Sequence, residues 1–282
     1  MNTNNSPLVS ADELAGLLAD DNPPRLLDAS YQLGSPDFGA ERYAAGHVPG
    51  AVFVDVEEVF SAHVAADGRG GRHPLPSPDE LQAGLRAAGI NDGDALVVYD
   101  QSNSMGAARG WWVLRAAGLE QVRVLDGGLA AWRQAGLPVT TDVPLVEPGT
   151  VRVVSLDHAD RVDAAGVADA LAQGRRVVDV RTQERFRGET EPIDPVAGHI
   201  PGSVNLPAGG LQRADGQFLA VDDLAGALDG LQPGDVVSCG SGITASNVIL
   251  AAQAAGVTGL RLYAGSWSDW ISDPSRPVAT GE

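Results

Sequence analysis

The sequence predicts an α/β fold made of two similar halves, each a mainly parallel sheet with helices on both faces. Short apolar segments that read as strands alternate with helical segments along the chain, a pattern typical of parallel sheets covered by helices. In addition, four landmarks of the first half recur in the same order in the second half. Because ordered repeats of this kind mark repeated structural units, the chain is expected to be a duplicated domain.

The repeat is clearest in the turn motif Gly46-His47-Val48-Pro49-Gly50, which returns as Gly198-His199-Ile200-Pro201-Gly202. A proline-containing stretch separates the two halves and reads as a linker. We therefore predict domains at residues 1–140 and 152–282, joined by a linker at 141–151. The four matched segments, first half before second, are 26–28 with 177–179, 46–52 with 198–204, 96–100 with 236–239, and 125–132 with 263–270.

Local signals predict individual helices and strands. Ser77-Pro78-Asp79-Glu80 is typical of an N-cap with proline in the first turn, and predicts a helix ending near Gly89. Residues 122–125 predict a short strand, followed by a helix over 127–134. In the second half, residues 236–238 predict a strand and residues 245–256 a helix, because apolar residues there recur at helical spacing.

Composition narrows the class of protein and of partner. The 282 residues, 44% of them hydrophobic and 20% charged, are typical of a soluble globular protein. A net charge of −18 argues against nucleic acid or an anionic membrane surface as partner. The sequence contains no apolar run of about 18 residues, so no membrane span is predicted. Its polar start is unlike a signal peptide. The single cysteine suits a reducing compartment, so we expect a cytoplasmic protein.

The lone cysteine, Cys239, opens the run Cys239-Gly240-Ser241-Gly242-Ile243-Thr244 between a predicted strand and a predicted helix. Isolated cysteines are more often buried structural residues. Here, however, flanking glycines let backbone N–H groups approach the sulfur, and a helix N-terminus follows; both favour a thiolate. We therefore interpret Cys239 as a nucleophile. Asp100 occupies the matching position in the first half, which is expected to be non-catalytic.

Taken together, these motifs resemble the tandem-domain rhodanese-type sulfurtransferases. The resemblance covers residues from about Leu8 to Pro277 and includes both Gly-His-x-Pro-Gly turns, the Cys239 loop and the closing Gly265-Ser266-Trp267 segment. It implies two similar α/β domains, an inactive N-terminal one and a catalytic C-terminal one. It also implies transfer of a sulfane sulfur through a persulfide on Cys239, without metal or organic cofactor.

The Cys239 loop further resembles that of the 3-mercaptopyruvate sulfurtransferases, since Gly240 and Ser241 replace the basic residues usual in thiosulfate enzymes. This resemblance implies a catalytic relay of Ser241, His73 and Glu57. It also implies that donor binding involves Arg185 and the loop residues Gly240, Gly242, Ile243 and Thr244.

One departure from that pattern leaves the donor open. Such enzymes commonly carry a second arginine after a Glu-Pro pair, but Glu191-Pro192 is followed here by Ile193-Asp194-Pro195. Loss of a charge-assisted carboxylate contact should weaken binding by roughly 1.5–3 kcal/mol. Thiosulfate therefore remains an alternative donor. In either case the expected partners are a small anionic sulfur donor and a thiol, thioredoxin or cyanide acceptor.

Single residues of the chain argue against other classes of protein. A Cys-loop phosphatase needs arginine at the sixth position after the cysteine, where this chain has Ala245. A non-catalytic docking module is the remaining alternative, but retention of Cys239 with its loop argues against it. His47 and His199 occur in both halves and are expected to bond loop carbonyls. Asp179 and Arg181 are expected to brace each other, and a zinc site is not expected.

Overall fold

The computed structural model describes residues 6–282, which fall into two compact units. Neither unit is a continuous piece of chain. The first comprises the residues up to Ala62, Pro76–Ala159 and Gln212–Leu219, and the second comprises His63–Leu75, Asp160–Leu211 and Ala220–Glu282. Residues 63–75 therefore belong to the second unit, although they precede most of the first. The domain boundaries near residues 140 and 152 stay a prediction.

In the first unit a five-stranded parallel sheet has the order β1-β5-β4-β2-β3. Its middle strand, β4 (Leu96–Tyr99), is buried throughout, as expected for a parallel strand with both faces covered. The remaining elements are β1 (Leu8–Val9), α1 (Ala11–Leu18), β2 (Arg25–Asp28), α2 (Phe38–Ala45), β3 (Val52–Phe53), α3 (Pro78–Ala87), α4 (Met105–Ala116), β5 (Val122–Leu125) and α5 (Gly128–Gln134).

The second unit repeats this plan with a parallel sheet of order β6-β10-β9-β7-β8. Its middle strand, β9 (Val236–Ser238), is also fully buried. The remaining elements are β6 (Arg161–Val162), α6 (Ala164–Ala172), β7 (Val177–Asp179), α7 (Gln183–Arg187), β8 (Val204–Asn205), α8 (Val221–Ala227), α9 (Ile243–Ala254), β10 (Arg261–Tyr263) and α10 (Ser266–Trp270). The predicted fold class, two similar α/β domains with parallel sheets, is confirmed.

The local signals read from the sequence are confirmed with small shifts. Helix α3 has a complete capping box, in which Ser77 and Glu80 bond each other's backbone N–H groups. Helix α9 begins at Ile243 and not at residue 245 as predicted, because Gly242 adopts φ +84° and turns the chain directly into the helix. None of the helices within residues 6–282 is long and apolar enough to cross a membrane.

The middle strand of each sheet leads into a loop and then into a deeply buried helix. Helices α4 and α9 are buried along most of their length, and α9 keeps Ser246 and Asn247 buried as well. In parallel sheets, ligands gather at the carboxyl ends of the strands. The loops after β4 and β9, which carry Asp100 and Cys239, lie at these ends.

Candidate active site

Cys239 lies at the carboxyl end of β9, in a loop that provides a backbone N–H donor to the sulfur. Its Sγ accepts a hydrogen bond from the Gly242 N–H at 3.1 Å, immediately before α9 begins. The Ser266 hydroxyl oxygen lies 4.0 Å from the same sulfur and accepts the Cys239 N–H at 3.0 Å. A backbone donor and a helix N-terminus both stabilise negative charge at this position. The role of Cys239 as a nucleophile stays a prediction, which this local geometry supports.

The turn from β10 into α10 fixes the Cys239 loop from a second side. Trp267 and Ser268 donate their N–H groups to the carbonyls of Cys239 and Gly240, at 3.0 and 2.9 Å. Ser266, at the start of α10, has φ +52°, a left-handed conformation that is unfavourable for a residue with a side chain. Its buried hydroxyl also donates to the Tyr263 carbonyl at 2.8 Å. This bonding offsets the backbone strain and fixes the hydroxyl oxygen beside the Cys239 N–H.

Residues 63–75 bring two further side chains to the second unit. The Gly70 N–H donates to Asp269 Oδ1 at 2.8 Å, and the Arg72 N–H donates to Ser268 Oγ at 3.0 Å. Gly71 has φ +76°, and a Cβ built on it would lie 2.4 Å from the Gly265 carbonyl oxygen. Only glycine permits this close approach. The segment is thus attached to the β10–α10 turn by its backbone, directly before Arg72 and His73.

His73 and Ser241, both predicted as relay residues, lie together in this unit. His73 Nδ1 is 2.7 Å from Ser241 Oγ, and both residues are buried. The hydroxyl donates when Nδ1 carries no proton and accepts when it does. A serine two residues after the thiol, hydrogen bonded to an imidazole, is able to move a proton at the site.

Glu57, the predicted third member of the relay, belongs to the first unit. Its side chain is largely exposed, and its N–H donates to Asp55 Oδ1 at 2.8 Å. Partial burial, together with the charges of Asp55 and Glu58, raises the pKa of Glu57 above its ordinary value. The participation of Glu57 in the relay stays a prediction.

Arg185, the predicted donor-binding residue, lies on α7 and is bonded to two carboxylates. It donates from Nε and Nη2 to Glu191, at 3.1 and 2.7 Å, and from Nη2 to Asp194 Oδ2 at 3.1 Å. Asp194 is also bonded to Arg72. The Asp194 carboxylate therefore links the guanidinium groups of Arg72 and Arg185.

Arg72 and Arg185 both approach the Cys239 loop at Gly240. A Cβ built on Gly240 would lie 2.9 Å from Arg72 Nη2 and 3.7 Å from each Nη atom of Arg185. The absence of a side chain at Gly240 thus gives both guanidinium groups access to the loop. In addition, Arg72 Nε is buried and has no hydrogen-bond partner within residues 6–282. A buried donor of this kind is costly unless a ligand satisfies it.

Sequence reasoning identified Arg185 but missed Arg72. The resemblance to 3-mercaptopyruvate sulfurtransferases predicts a role for His73, which follows Arg72 in the chain. No sequence motif singles out Arg72 itself. The available signal was the glycine pair Gly70-Gly71, since consecutive glycines ahead of charged side chains indicate close backbone approach. Of the predicted loop residues, Gly240 and Gly242 lie between the thiol and α9, whereas Ile243 and Thr244 lie in the first turn of that helix.

The arginine side chains around the Cys239 loop are equal in number to the carboxylate side chains that bond them. Arg181 is bidentate to Asp179 and also bonds Glu191, as predicted for a bracing pair, and its guanidinium carbon lies 4.8 Å from the centre of a Trp267 ring. Burial acts to raise the pKa of Glu191, but hydrogen bonds from Arg185 and the backbone outweigh burial and lower it. Burial raises the pKa of Asp194 despite Arg72 and Arg185.

The corresponding loop of the first unit contains a carboxylate instead of a thiol. Asp100 Oδ1 accepts the N–H groups of Ser102 and Ser104 at 3.1 and 3.0 Å, and Oδ2 accepts that of Ala107 at 3.3 Å. Asp100 is fully enclosed, and burial raises the pKa of its carboxyl group to about 6 despite these donors. Asp100 therefore occupies, with its own oxygens, the anion-binding position of its loop.

The Nδ1 atoms of His47 and His199 bond backbone carbonyls, as predicted, but these carbonyls belong to helices α2 and α7 and not to loops. His47 Nδ1 lies 2.8 Å from the Tyr43 carbonyl oxygen, and His199 Nδ1 lies 2.7 Å from that of Phe186. Each imidazole also stacks on the aromatic ring of the same partner. Within residues 6–282, no group of three or more His, Cys, Asp or Glu side chains is arranged to hold a metal ion.

Comparison with known proteins identifies relatives over nearly the whole chain. The rhodanese-like domain family matches residues 10–135 and 163–273. The putative thiosulfate sulfurtransferase SseB of Mycobacterium tuberculosis is 46% identical, with 97% of each chain aligned. A probable 3-mercaptopyruvate sulfurtransferase of Pseudomonas aeruginosa is 44% identical, with 98% of each chain aligned. The crystal structure of SseA from Escherichia coli, described as a 3-mercaptopyruvate sulfotransferase, has a TM-score of 0.81 at 32% identity over 93% of this chain and 99% of its own.

Proposed function

Because the chain belongs to the rhodanese-like domain family, we propose that it is a sulfurtransferase that takes a sulfane sulfur from 3-mercaptopyruvate. The sulfur is carried as a persulfide on Cys239 and passed to a thiol or cyanide. The family predicted from the motifs is confirmed, and the relatives are named as thiosulfate or 3-mercaptopyruvate sulfurtransferases. One observation supports this choice of donor above the others: the His73–Ser241 hydrogen bond of 2.7 Å beside the Cys239 loop.

The first half-reaction transfers sulfur from carbon to Cys239. The thiolate attacks the donor sulfur, a sulfur–sulfur bond forms, and the carbon–sulfur bond breaks with its electron pair passing to C3. The resulting pyruvate enolate needs a proton, and the donor's thiol loses one. In this proposal the hydrogen-bonded pair Ser241 and His73 takes the proton from the donor thiol and returns it to C3, so that pyruvate leaves and a persulfide anion remains.

Arginine side chains bind the donor's carboxylate in this proposal. Arg185 and Arg72 both reach the loop at Gly240, and the buried Arg72 Nε lacks a partner within the described residues. A carboxylate at this point would receive charge-assisted hydrogen bonds. Arg72 thus takes the place of the second arginine that is absent after Glu191-Pro192. This pairing supports a monoanionic carboxylate donor without a basic residue in the Cys239 loop itself.

The second half-reaction restores the thiolate. An acceptor thiolate or cyanide attacks the outer sulfur, a new bond to that sulfur forms, and the sulfur–sulfur bond to Cys239 breaks with its electrons returning to Sγ. The Gly242 N–H and the N-terminus of α9 stabilise the anion released. We include thioredoxin among the acceptor thiols of this proposal. The proposal also places the protein in the cytoplasm, because a chain with a single cysteine suits a reducing compartment.

Thiosulfate is the second candidate donor, favoured by the name of the 46% identical relative. With thiosulfate the leaving group is sulfite, an anion that needs no proton to depart. The His73–Ser241 pair would then have no proton to move. The two donors are therefore distinguished by the dependence of persulfide formation on Ser241.

The direct test is the intact mass of the protein after separate incubation with 3-mercaptopyruvate and with thiosulfate. Gain of one sulfur atom from 3-mercaptopyruvate, absent in Cys239→Ser, is the expected result. Gain from thiosulfate alone would overturn the donor, and gain that persists in Cys239→Ser would overturn the site. No gain from either compound would leave a docking module as the better description.

A further inference from the structure

We propose that Asp194 is a specificity-determining residue: an internal carboxylate that occupies the arginine pair of the free enzyme and competes with the carboxylate of the donor. This inference rests on the proposed function, because it concerns the binding of that donor. It identifies Asp194 as the residue that the incoming anion has to displace from Arg72 and Arg185.

The position of Asp194 makes this competition a matter of geometry. Its side chain is only 3% exposed, and its two oxygens are divided between the arginines: Oδ1 bonds Arg72, and Oδ2 lies 3.1 Å from Arg185 Nη2. The same two guanidinium groups approach Gly240 in the Cys239 loop. A carboxylate bridging two arginines has the chemistry of the donor group that those arginines would bind.

Glu191 provides an internal comparison, because it is fixed far more firmly. It accepts N–H groups from Ile193 and Asp194, each at 3.1 Å, and also bonds Arg181 and Arg185. Within residues 6–282, by contrast, the hydrogen bonds to the Asp194 carboxylate come from Arg72 and Arg185. Asp194 is therefore the carboxylate of the pair that can be replaced without breaking the backbone turn.

The charge around the loop points the same way. Arg72, Arg181 and Arg185 face Asp179, Glu191 and Asp194, so the cluster has no net formal charge when all six are ionised. Removing the charge of Asp194 leaves an excess positive charge on the two arginines that reach Gly240. The affinity of the two arginines for anions should then rise, because an incoming carboxylate no longer has to displace the carboxylate of Asp194.

The test measures binding of pyruvate, a probe that carries the donor's carboxylate but transfers no sulfur. Isothermal titration is performed on wild type, Asp194→Asn and the control Asp273→Asn, which removes an exposed carboxylate paired with Arg276 in the same unit. We expect Asp194→Asn to bind pyruvate about tenfold more tightly than wild type, and Asp273→Asn to match wild type. Equal or weaker binding by folded Asp194→Asn would overturn the proposal, since Asp194 would then be only a support for the arginines.

Asp194→Ala removes the same charge without adding an amide and is titrated in parallel, so that a folding defect in one variant does not decide the outcome. In steady-state assays with 3-mercaptopyruvate, the KM of either variant should fall by a larger factor than kcat changes. The intact-mass experiment separates the two proposals. A persulfide in wild type without tighter pyruvate binding in the variants overturns the role of Asp194 alone. Tighter binding without any persulfide overturns the proposed donor and leaves the competition intact.

Discussion

The loops after β4 and β9 occupy equivalent places in their sheets but contain different functional groups, a carboxyl group and a thiol. In the first, Asp100 accepts three backbone N–H groups of its own loop and of the start of α4. In the second, the Cys239 sulfur accepts the Gly242 N–H and faces the Ser266 hydroxyl. At the matching position the first loop thus has a carboxyl group that accepts three N–H groups, and the second has a thiol that accepts one. The anion-binding loop is a property of the fold, whereas its chemistry is a property of the atom placed in it.

The turns that pack on these loops differ in a matching way. Leu129 and Ala130 donate to the carbonyls of Asp100 and Gln101, just as Trp267 and Ser268 donate to those of Cys239 and Gly240. At the equivalent turn position the first unit has Gly128, with φ +57°, and the second has Ser266, with φ +52°. Glycine adopts this conformation at little cost, but serine does not. The second unit therefore has a strained residue at the position whose hydroxyl oxygen accepts the Cys239 N–H.

The largest effect should follow from removing the reactive atom. Cys239→Ser should show no persulfide and lose at least about 10³-fold in turnover, because a hydroxyl at this position is a far weaker nucleophile. Asp100→Ser, the same exchange in the first unit, should still form the persulfide. The check is intact mass with 3-mercaptopyruvate and steady-state turnover. Loss of the persulfide in the Asp100 variant would break the division into one reactive and one inert loop.

The next effect concerns stability and pH. The carboxyl group of Asp100 has an ordinary pKa of 3.8, raised by burial to about 6 in the folded protein. Folding therefore favours the protonated form of Asp100. The contribution of this group to the free energy of unfolding is fully present below pH 4 and is lost as the pH rises to 6. This difference in pKa between the unfolded and folded protein corresponds to about 3 kcal/mol in the free energy of unfolding. Asp100→Asn, which stays neutral, should not show this decline.

The measurement is the free energy of unfolding in urea for wild type and Asp100→Asn at pH 4 and pH 7.5. The difference between the two proteins should move by about 3 kcal/mol in favour of the variant at the higher pH. Asp92→Asn, at an exposed carboxylate of the same unit, serves as control and should track wild type. A difference that is constant with pH would show that the three N–H donors keep Asp100 ionised.

A smaller effect, selective for the donor, should come from the relay. Ser241→Ala should reduce the rate of persulfide formation from 3-mercaptopyruvate by about 10²-fold, because the enolate loses its proton path. The rate with thiosulfate should change less than about threefold, since sulfite leaves without a proton. Single-turnover kinetics with each donor provides the check. Equal losses with both donors would mean that Ser241 supports the loop and does not move a proton.

The smallest effect should come from Arg72. Arg72→Ala should raise the KM for 3-mercaptopyruvate by about tenfold, because one charge-assisted contact to the donor carboxylate is lost while Arg185 remains. Arg69→Ala is the matched control, as Arg69 lies in the same segment but pairs with Asp67 in solvent. Its KM should stay at the wild-type value. An unchanged KM in Arg72→Ala would remove this residue from the donor site.

Much of this architecture was predictable because it depends on local patterns. The capping residues of α3, the aspartate-terminated strands β2 and β7, and the strand–loop–helix at Cys239 each carry a signal within a few residues of sequence. The equivalence of Asp100 and Cys239 followed from the order of the repeats. The family and fold expected from these motifs are confirmed. The predicted start of α9 lies two residues too late, because the residue types of Gly242 and Ile243 do not indicate where the left-handed turn ends.

The parts that escaped prediction depend on contacts distant in sequence. Arg72 reaches Gly240 only because Gly71 lets its backbone lie against the β10–α10 turn, nearly two hundred residues later in the chain. The absence of an arginine after Pro192 was visible, but not that Asp194 would bond the arginines of two other segments. Charge pairing across such separations is set by tertiary packing, which periodicity and spacing do not encode.

The placement of residues 63–75 in the second unit has a consequence for the history of the chain. A tandem duplication begins as two interchangeable copies, either of which carries everything it needs. Here a segment encoded within the first copy supplies Arg72 and His73 to the unit that contains Cys239. The second copy, cut out at the linker and expressed alone, would retain its thiol but not these two side chains. Division of the chain at the predicted linker would therefore separate the thiol from two side chains that lie in the same compact unit.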